Sequence, residues 1–97
     1  MLLFRNRTGE AEQHDKHANL FVVLAGSATL VTGGILKDAR DVGPGESRAD
    51  TMEGGRSQQL RPGDVAYIPA SVPYQIVLAG DETISCFAIK IELPEVN

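Results

Sequence analysis

The stretch RPGDVAYIPASVPYQIV, residues 61–77, decides the fold of this chain. Its Pro-Gly pair is typical of a tight turn, because proline fixes φ and glycine accepts the positive φ that many turns require. Two short runs with strand composition follow, DVAYIP (64–69) and YQIVLA (74–79). Runs of this kind, bounded by Gly, Pro or Asp, are typical of β-strands. The stretch therefore predicts a turn followed by two strands.

The rest of the chain repeats this pattern of short strands separated by turn residues. The further predicted strands are LLFRNR near the start, LFVVLA (20–25), ATLVT (28–32), ILKDARDV (35–42) and TISCFAIKI (83–91). No segment has the apolar stripe of a docked helix. The short links AGS (25–27) and TGG (32–34) predict that the three strands around them form a meander. Regularly spaced short strands indicate a sandwich or barrel, so we predict an all-β fold in a single domain over residues 1–97.

The last predicted strand alternates in a way that separates two faces. Phe87, Ile89 and Ile91 fall on one side of the strand, and Cys86 falls on the other. Cys86 is the one cysteine of the chain, which excludes an internal disulfide. Its apolar neighbours predict a packed, inert thiol in the core.

One long segment lacks a strand pattern. GPGESRADTMEGGRSQQ (43–59) contains four glycines and many polar residues, and we predict an exposed loop excursion there. Such a length is unusual inside a small domain, so the loop either covers something or contacts a partner. A tolerated insertion is the alternative.

The net charge argues against two classes of partner. Nine basic and thirteen acidic residues give −4, so neither nucleic acid nor an anionic membrane surface is expected to bind. The longest apolar run, residues 20–25, is far too short to span a bilayer. The opening MLLFRNR lacks the apolar core of a secretory signal, and we expect a cytoplasmic protein.

The spacing within residues 61–77 is specific. Gly63 is followed by five residues, Pro69, one residue, Ser71, two residues and Tyr74. This order resembles the second motif of the cupin superfamily, which runs Gly, five residues, Pro, one residue, Gly, two residues, His. Ser71 stands where the family has Gly, and Tyr74 stands where the family has its metal-binding His.

The stretch EQHDKHANLFVVLAG (12–26) resembles the first cupin motif. In that motif a His-x-His pair is followed by three or four residues, a Glu, six residues and a Gly. When Gly26 is taken as the closing Gly, Asn19 falls at the Glu position. His14 then falls at the second His and Glu12 at the first.

The resemblance implies a fold and a kind of site. The fold is a double-stranded β-helix, a small jelly-roll barrel whose open mouth holds a metal and a small organic ligand. The family implies ligands that converge from neighbouring strands and leave open positions for substrate or oxygen. A homodimer is expected by analogy, since cupins commonly pair through sheet edges or strand exchange.

Three of the four motif ligands are replaced here, so the resemblance implies a lost or altered metal site. His14 is retained, and the carboxylate of Glu12 could still bind a transition metal. Asn19 removes one negative charge, and the phenol of Tyr74 binds well only to a strongly acidic metal. His17 lies outside the motif register, as a solvated loop histidine or as a substitute ligand. We expect no cofactor, or else divalent Fe, Mn, Zn or Ni.

A pocket hypothesis follows from the strand faces. Asn19 and Phe21 share one face of their strand, and Tyr74 and Ile76 share one face of theirs. The predicted ligand-binding residues are Asn19, Phe21, Tyr67, Tyr74 and Ile76. The alternative is that these side chains simply fill a narrow barrel.

Three functions remain open at this point, and whether the protein is an enzyme is undecided. The first is a small cupin that binds a small organic molecule, with its metal site lost or altered. The second is a metal-dependent cupin enzyme, of oxygenase, isomerase or lyase type, that uses His14 with Glu12. The third is a non-catalytic accessory or assembly protein whose 43–59 segment is a contact surface.

Overall fold

The computed structural model of the protein describes residues 1–94, which form twelve β-strands and no helix. The strands are β1 Leu2–Arg5, β2 Ala11–His14, β3 His17–Gly26, β4 Ala28–Thr32, β5 Ile35–Lys37, β6 Arg40–Gly43, β7 Glu46–Ala49, β8 Thr51–Glu53, β9 Arg56–Leu60, β10 Val65–Ile68, β11 Tyr74–Val77 and β12 Ile84–Glu92. The prediction of an all-β protein is confirmed, and the described residues form one compact domain.

Most strands belong to two antiparallel sheets. The four-stranded sheet has the order β1-β12-β3-β10, and the six-stranded sheet has the order β6-β7-β2-β11-β4-β9. Strands β5 and β8 form a separate two-stranded sheet. Apolar side chains from both larger sheets meet in one core. Its members are Phe21, Val23, Ala28, Leu30, Leu60, Ala66, Ile68, Tyr74, Ile76, Ile84 and Cys86.

Every predicted strand segment contains strand, but the ends of some differ and one segment divides into two strands. The strand predicted at 20–25 begins earlier, at His17. The run 35–42 splits into β5 and β6, because Asp38 adopts a φ of 54° and turns the chain. Strand β2 was not predicted, since AEQH has helix-forming residues and no run of apolar ones.

The predicted meander is wrong. Strands β3 and β4 lie in different sheets, and β4 pairs instead with β11 and β9. The link between them turns at Gly26, whose φ is +81°. A Cβ at this position would lie 1.9 Å from the carbonyl oxygen of Thr83. Only glycine fits at this position without a clash. Gly26, which the sequence comparison placed at the end of the first motif, is therefore required where the chain passes from the four-stranded to the six-stranded sheet.

The predicted loop over 43–59 is also wrong. This segment holds β7, β8 and most of β9. Strand β7 pairs with β2 in the six-stranded sheet. The strand character was hidden because these strands carry mostly polar side chains, and the apolar alternation that identifies a half-buried strand is missing.

The alternation predicted for the last strand is confirmed. Cys86 is fully buried, and burial raises the pKa of its thiol. Phe87, Ile89 and Ile91 are 42%, 37% and 40% exposed, so the apolar side of β12 that faces away from the core is open. Among residues 1–94 there is no helix with the length and apolar character to cross a membrane.

Candidate functional site

A cavity of about 260 Å³ lies between the inner faces of the two larger sheets. The residues that were predicted from sequence and line it are Glu12, His14, His17, Asn19, Phe21, Tyr74 and Ile76. The inner side chains therefore leave open space between the sheets, and they do not fill it.

Strand pairing explains why distant residues meet here. Tyr74 on β11 lies directly opposite Glu12 on β2, and opposed residues of an antiparallel pair point to the same side. His14 follows Glu12 by two positions and points the same way. Asn19 and Phe21 reach the cavity from β3, in the facing sheet.

Tyr67 is the exception among the predicted residues. It lies on β10 between Ala66 and Ile68, which are both buried in the core. Tyr67 therefore points to the opposite side of the sheet, where it is 57% exposed. The expectation that Tyr67 joins the pocket is corrected: this side chain is outside the cavity.

The pairing of β2 with β7 builds a polar cluster at the cavity. His14 lies opposite Glu46, and Glu12 lies opposite Arg48. The Nε2 atom of His14 is 2.9 Å from Oε1 of Glu12, and its Nδ1 atom is 3.4 Å from Oε1 of Glu46. One ligand atom from each of Glu12, His14 and Glu46 lies within 4.8 Å of the others.

The Nδ1 atom of His14 is buried and has no hydrogen-bond partner among residues 1–94. A neutral imidazole carries hydrogen on one nitrogen and a lone pair on the other. If Nε2 donates its hydrogen to Glu12, the lone pair of Nδ1 faces the carboxylate of Glu46. A cation bound between the two groups would remove that unfavourable arrangement.

Arg48 links the carboxylates of the cluster. Its Nε donates a hydrogen bond of 2.9 Å to Oε2 of Glu46, and its Nη2 lies 3.5 Å from Oε1 of Glu12. For Glu46, burial acts to raise the pKa, but the Arg48 hydrogen bond and the charge of His14 outweigh it, and the pKa is lowered. The hydrogen bond to Glu46 raises the pKa of Arg48. Both groups therefore stay ionised at neutral pH.

Tyr74 stays a neutral phenol in this setting. Its hydroxyl donates to Oε1 of Glu12 over 3.3 Å, and its ring meets Phe21 edge-on at 5.8 Å between centroids. Burial, together with the neighbouring Glu12 carboxylate, raises the pKa of Tyr74 well above its ordinary value. A phenol that resists ionisation is a hydrogen-bond donor and a poor metal ligand.

Of the two alternatives left open for His17, a solvated loop histidine and a substitute ligand, the solvated loop is wrong. It begins β3, lines the cavity and is partly buried. Its ring lies 4.4 Å from that of His14, centroid to centroid. Burial lowers the pKa of His17, and the charges of His14 and Lys90 lower it further. His17 is not one of the three residues whose ligand atoms cluster within 4.8 Å.

Sequence reasoning missed several charged residues at the cavity. Glu46 and Arg48 come from β7, Arg5 from β1 and Lys90 from β12. A signal for the first two was present, because ESRA places Glu and Arg two positions apart, on one face of a strand. The Gly-rich surroundings of that segment obscured this signal.

The fold and cavity together define a class of protein: a single-domain, all-β protein with a polar cavity between two antiparallel sheets. Comparison of the chain with protein-family models, with curated proteins and with solved structures finds no match.

Proposed function

We propose that this protein is a small single-domain cupin that binds a small organic molecule in the cavity between its sheets, with an altered metal-binding motif. The proposal is supported by the four residues that the two motifs assign to the site. Glu12, His14, Asn19 and Tyr74 all line one cavity, although they lie on three strands in two sheets. Two facing antiparallel sheets are also the arrangement of a double-sheet jelly roll.

The observation that carries the proposal is the open volume of about 260 Å³. It equals the liquid volume of about nine water molecules, so it suits a ligand with about as many non-hydrogen atoms. A protein that uses this fold only as a scaffold has no need of a polar cavity. The volume therefore favours ligand binding over a purely structural role.

The walls of the cavity indicate the chemistry of the ligand. Phe21 and Ile76 are apolar and buried, and they come from facing sheets. The carboxylates of Glu12 and Glu46 and the guanidinium of Arg48 provide charged groups. Sites of this composition bind molecules with an apolar body and a polar end that the charged groups orient. The expected ligand is a small amphipathic compound that carries hydrogen-bonding groups at one end.

The test is a binding screen by two-dimensional NMR on nitrogen-15-labelled protein. The compounds are small carboxylic acids, polyols and amides of the size given above. We expect a binder to shift the amide signals of Asn19 and Phe21. Ala88 lines the cavity, so Ala88→Phe fills part of it and abolishes the shifts. Ala79→Phe, in an exposed turn, is the matched control and keeps them. If no compound binds, or if both variants bind equally, the proposal fails.

A metal-dependent enzyme is the second candidate, and the unpartnered Nδ1 of His14 favours it. One imidazole and two carboxylates form a donor set that suits Fe²⁺, Mn²⁺ or Zn²⁺. Glu12, His14 and Glu46 would hold such an ion, which would supply Lewis acidity or oxygen activation. The guanidinium of Arg48 opposes binding, because it contacts both carboxylates and is itself a cation.

Elemental analysis separates the two candidates. The protein is purified without chelator or affinity tag, and the His14→Ala and His17→Ala variants are purified in parallel. The metal candidate predicts stoichiometric metal in the native protein and in His17→Ala, and none in His14→Ala. If the native protein holds no metal and takes up no iron, manganese, zinc, nickel or copper, the second candidate is rejected.

A further inference from the structure

The outward side of the four-stranded sheet is a continuous apolar surface. Strand registers define it, because directly opposed residues point to the same side. One row across the sheet consists of Leu2, Phe87, Val22 and Val65, and the next row consists of Ile89, Leu20 and Tyr67. Phe4 and Ile91 extend it at two corners. We call these nine residues the outer face.

The outer face is open to solvent to an unusual degree. Leu2, Phe4, Val65 and Tyr67 are 74%, 62%, 60% and 57% exposed. Phe87, Ile89 and Ile91 are also more than a third exposed. A large apolar side chain has roughly 150–200 Å² of accessible area, so the outer face presents on the order of 700 Å². Monomeric proteins rarely expose a contiguous apolar patch of more than a few hundred Å².

We propose that the outer face is the interface of a homodimer, in which the outer faces of two copies pack against each other. The area is close to the roughly 800 Å² that each partner buries in a stable interface. Two sheets can pack face to face at about 10 Å, as in a β-sandwich. A two-fold axis through the face brings the same surface of both chains together, which is the commonest symmetry of dimers.

The charge pattern favours a second copy over other occupants. None of the residues of the outer face carries a charge, so two copies pack without burying an unpaired ion. A membrane surface is a poorer fit, because the face lacks the Lys and Arg that anchor apolar surfaces to anionic lipid and the chain has a net charge of −4.

Dimerisation through the outer face leaves the cavity complete in each copy. Ile89 lies on the outer face, whereas the adjacent Lys90 lines the cavity on the other side of β12. On β3, Leu20 likewise lies on the outer face and the adjacent Asn19 lines the cavity. Each chain therefore keeps its own pocket, and the interface serves assembly and not the chemistry of the site.

The test is the mass in solution of the full chain, by light scattering and sedimentation equilibrium over micromolar to submillimolar concentrations. We expect the mass of two chains. Ile89→Lys and Tyr67→Lys each place a charge in the interface and raise the dimer dissociation constant at least about 30-fold. Both side chains are exposed within one chain, so each monomer keeps its fold, which circular dichroism checks. If Ile89→Lys does not fold, Tyr67→Lys alone decides.

Ile35→Lys is the matched control. Ile35 is 76% exposed but lies on β5, outside the four-stranded sheet, so this variant stays dimeric. The proposal is overturned if the native chain has the mass of one chain throughout. It is also overturned if the outer-face variants dimerise as tightly as the control. A native monomer that binds phosphatidylcholine vesicles would overturn it in favour of a membrane surface.

Discussion

The imidazole of His14 lies between two carboxylates, with its Nδ1 atom 3.4 Å from Oε1 of Glu46 and its Nε2 atom hydrogen-bonded to Glu12. This arrangement follows from the backbone, because His14 and Glu46 are directly opposed residues of β2 and β7. Arg48, two positions along β7, binds the same carboxylates. The cluster is therefore a property of one strand pair at the edge of the cavity.

Removing the Glu46 carboxylate should destabilise the protein. Glu46→Ala leaves Arg48 without its 2.9 Å hydrogen bond at the cavity, and we expect a loss of about 1–2 kcal/mol in the free energy of unfolding. The matched control is Glu53→Ala, because Glu53 pairs with Lys37 at 3.7 Å on the open surface. That variant should change stability by less than about 0.5 kcal/mol. Urea unfolding of both variants checks this, and equal losses would contradict it.

The loss of stability at acid pH should also depend on Glu46. Its pKa is lower in the folded protein than its ordinary value, so its contribution is present above the ordinary pKa and is lost as pH falls through the lowered one. Glu46→Gln removes this titration. Between neutral pH and acid, the variant should lose less stability than the native protein does. Urea midpoints measured at a series of pH values check the difference, and parallel curves would contradict it.

The two tyrosines offer a matched pair for the pocket. Tyr74→Phe removes a buried hydroxyl that donates to Glu12, whereas Tyr67→Phe removes an exposed one from the outer face. We expect Tyr74→Phe to lower the free energy of unfolding by about 0.5–1.5 kcal/mol. The variant should also weaken the binding of any ligand that shifts the amide NMR signals of the cavity residues. Tyr67→Phe should leave that ligand's affinity unchanged. An equal effect of the two variants on affinity would place the binding site elsewhere.

Alkaline titration gives a separate measure of the Tyr74 environment. Burial raises its pKa above the ordinary value of about 10, so the folded state holds this proton more tightly than the unfolded state does. The contribution of Tyr74 to stability is therefore fully present below about pH 10 and is lost as pH rises through its raised pKa. Tyrosinate absorbance should show one late-titrating phenol that is absent in Tyr74→Phe. A native protein that titrates no later than this variant would show that Tyr74 is solvated.

The sequence predicted the strands and the residues that meet at the cavity better than it predicted their pairing. The resemblance to the first cupin motif, counted back from Gly26, pointed to His14 and Asn19, and both residues line the cavity. The prediction of a meander was wrong because the partners of β4, the strands β9 and β11, lie far away in the sequence, and no local pattern specifies them. Strand β7 was missed since its charged residues face a polar cavity, where alternation of apolar residues gives no signal.

Gly26 and Gly33 allow steric crowding to be separated from backbone strain. Both have nearly the same positive φ, +81° and +83°. A Cβ at Gly26 meets the Thr83 carbonyl at 1.9 Å, whereas a Cβ at Gly33 meets no atom of the described part of the chain within 4 Å. Gly33→Ala should therefore lower the free energy of unfolding by about 1–2 kcal/mol, because alanine is strained in the left-handed backbone conformation. Gly26→Ala adds a backbone clash at the crossing between sheets, and we expect a loss at least about twice as large, measured by urea unfolding. If the two variants were equally stable, β12 would have to shift freely away from this turn, and Gly26 would not fix the junction between the sheets.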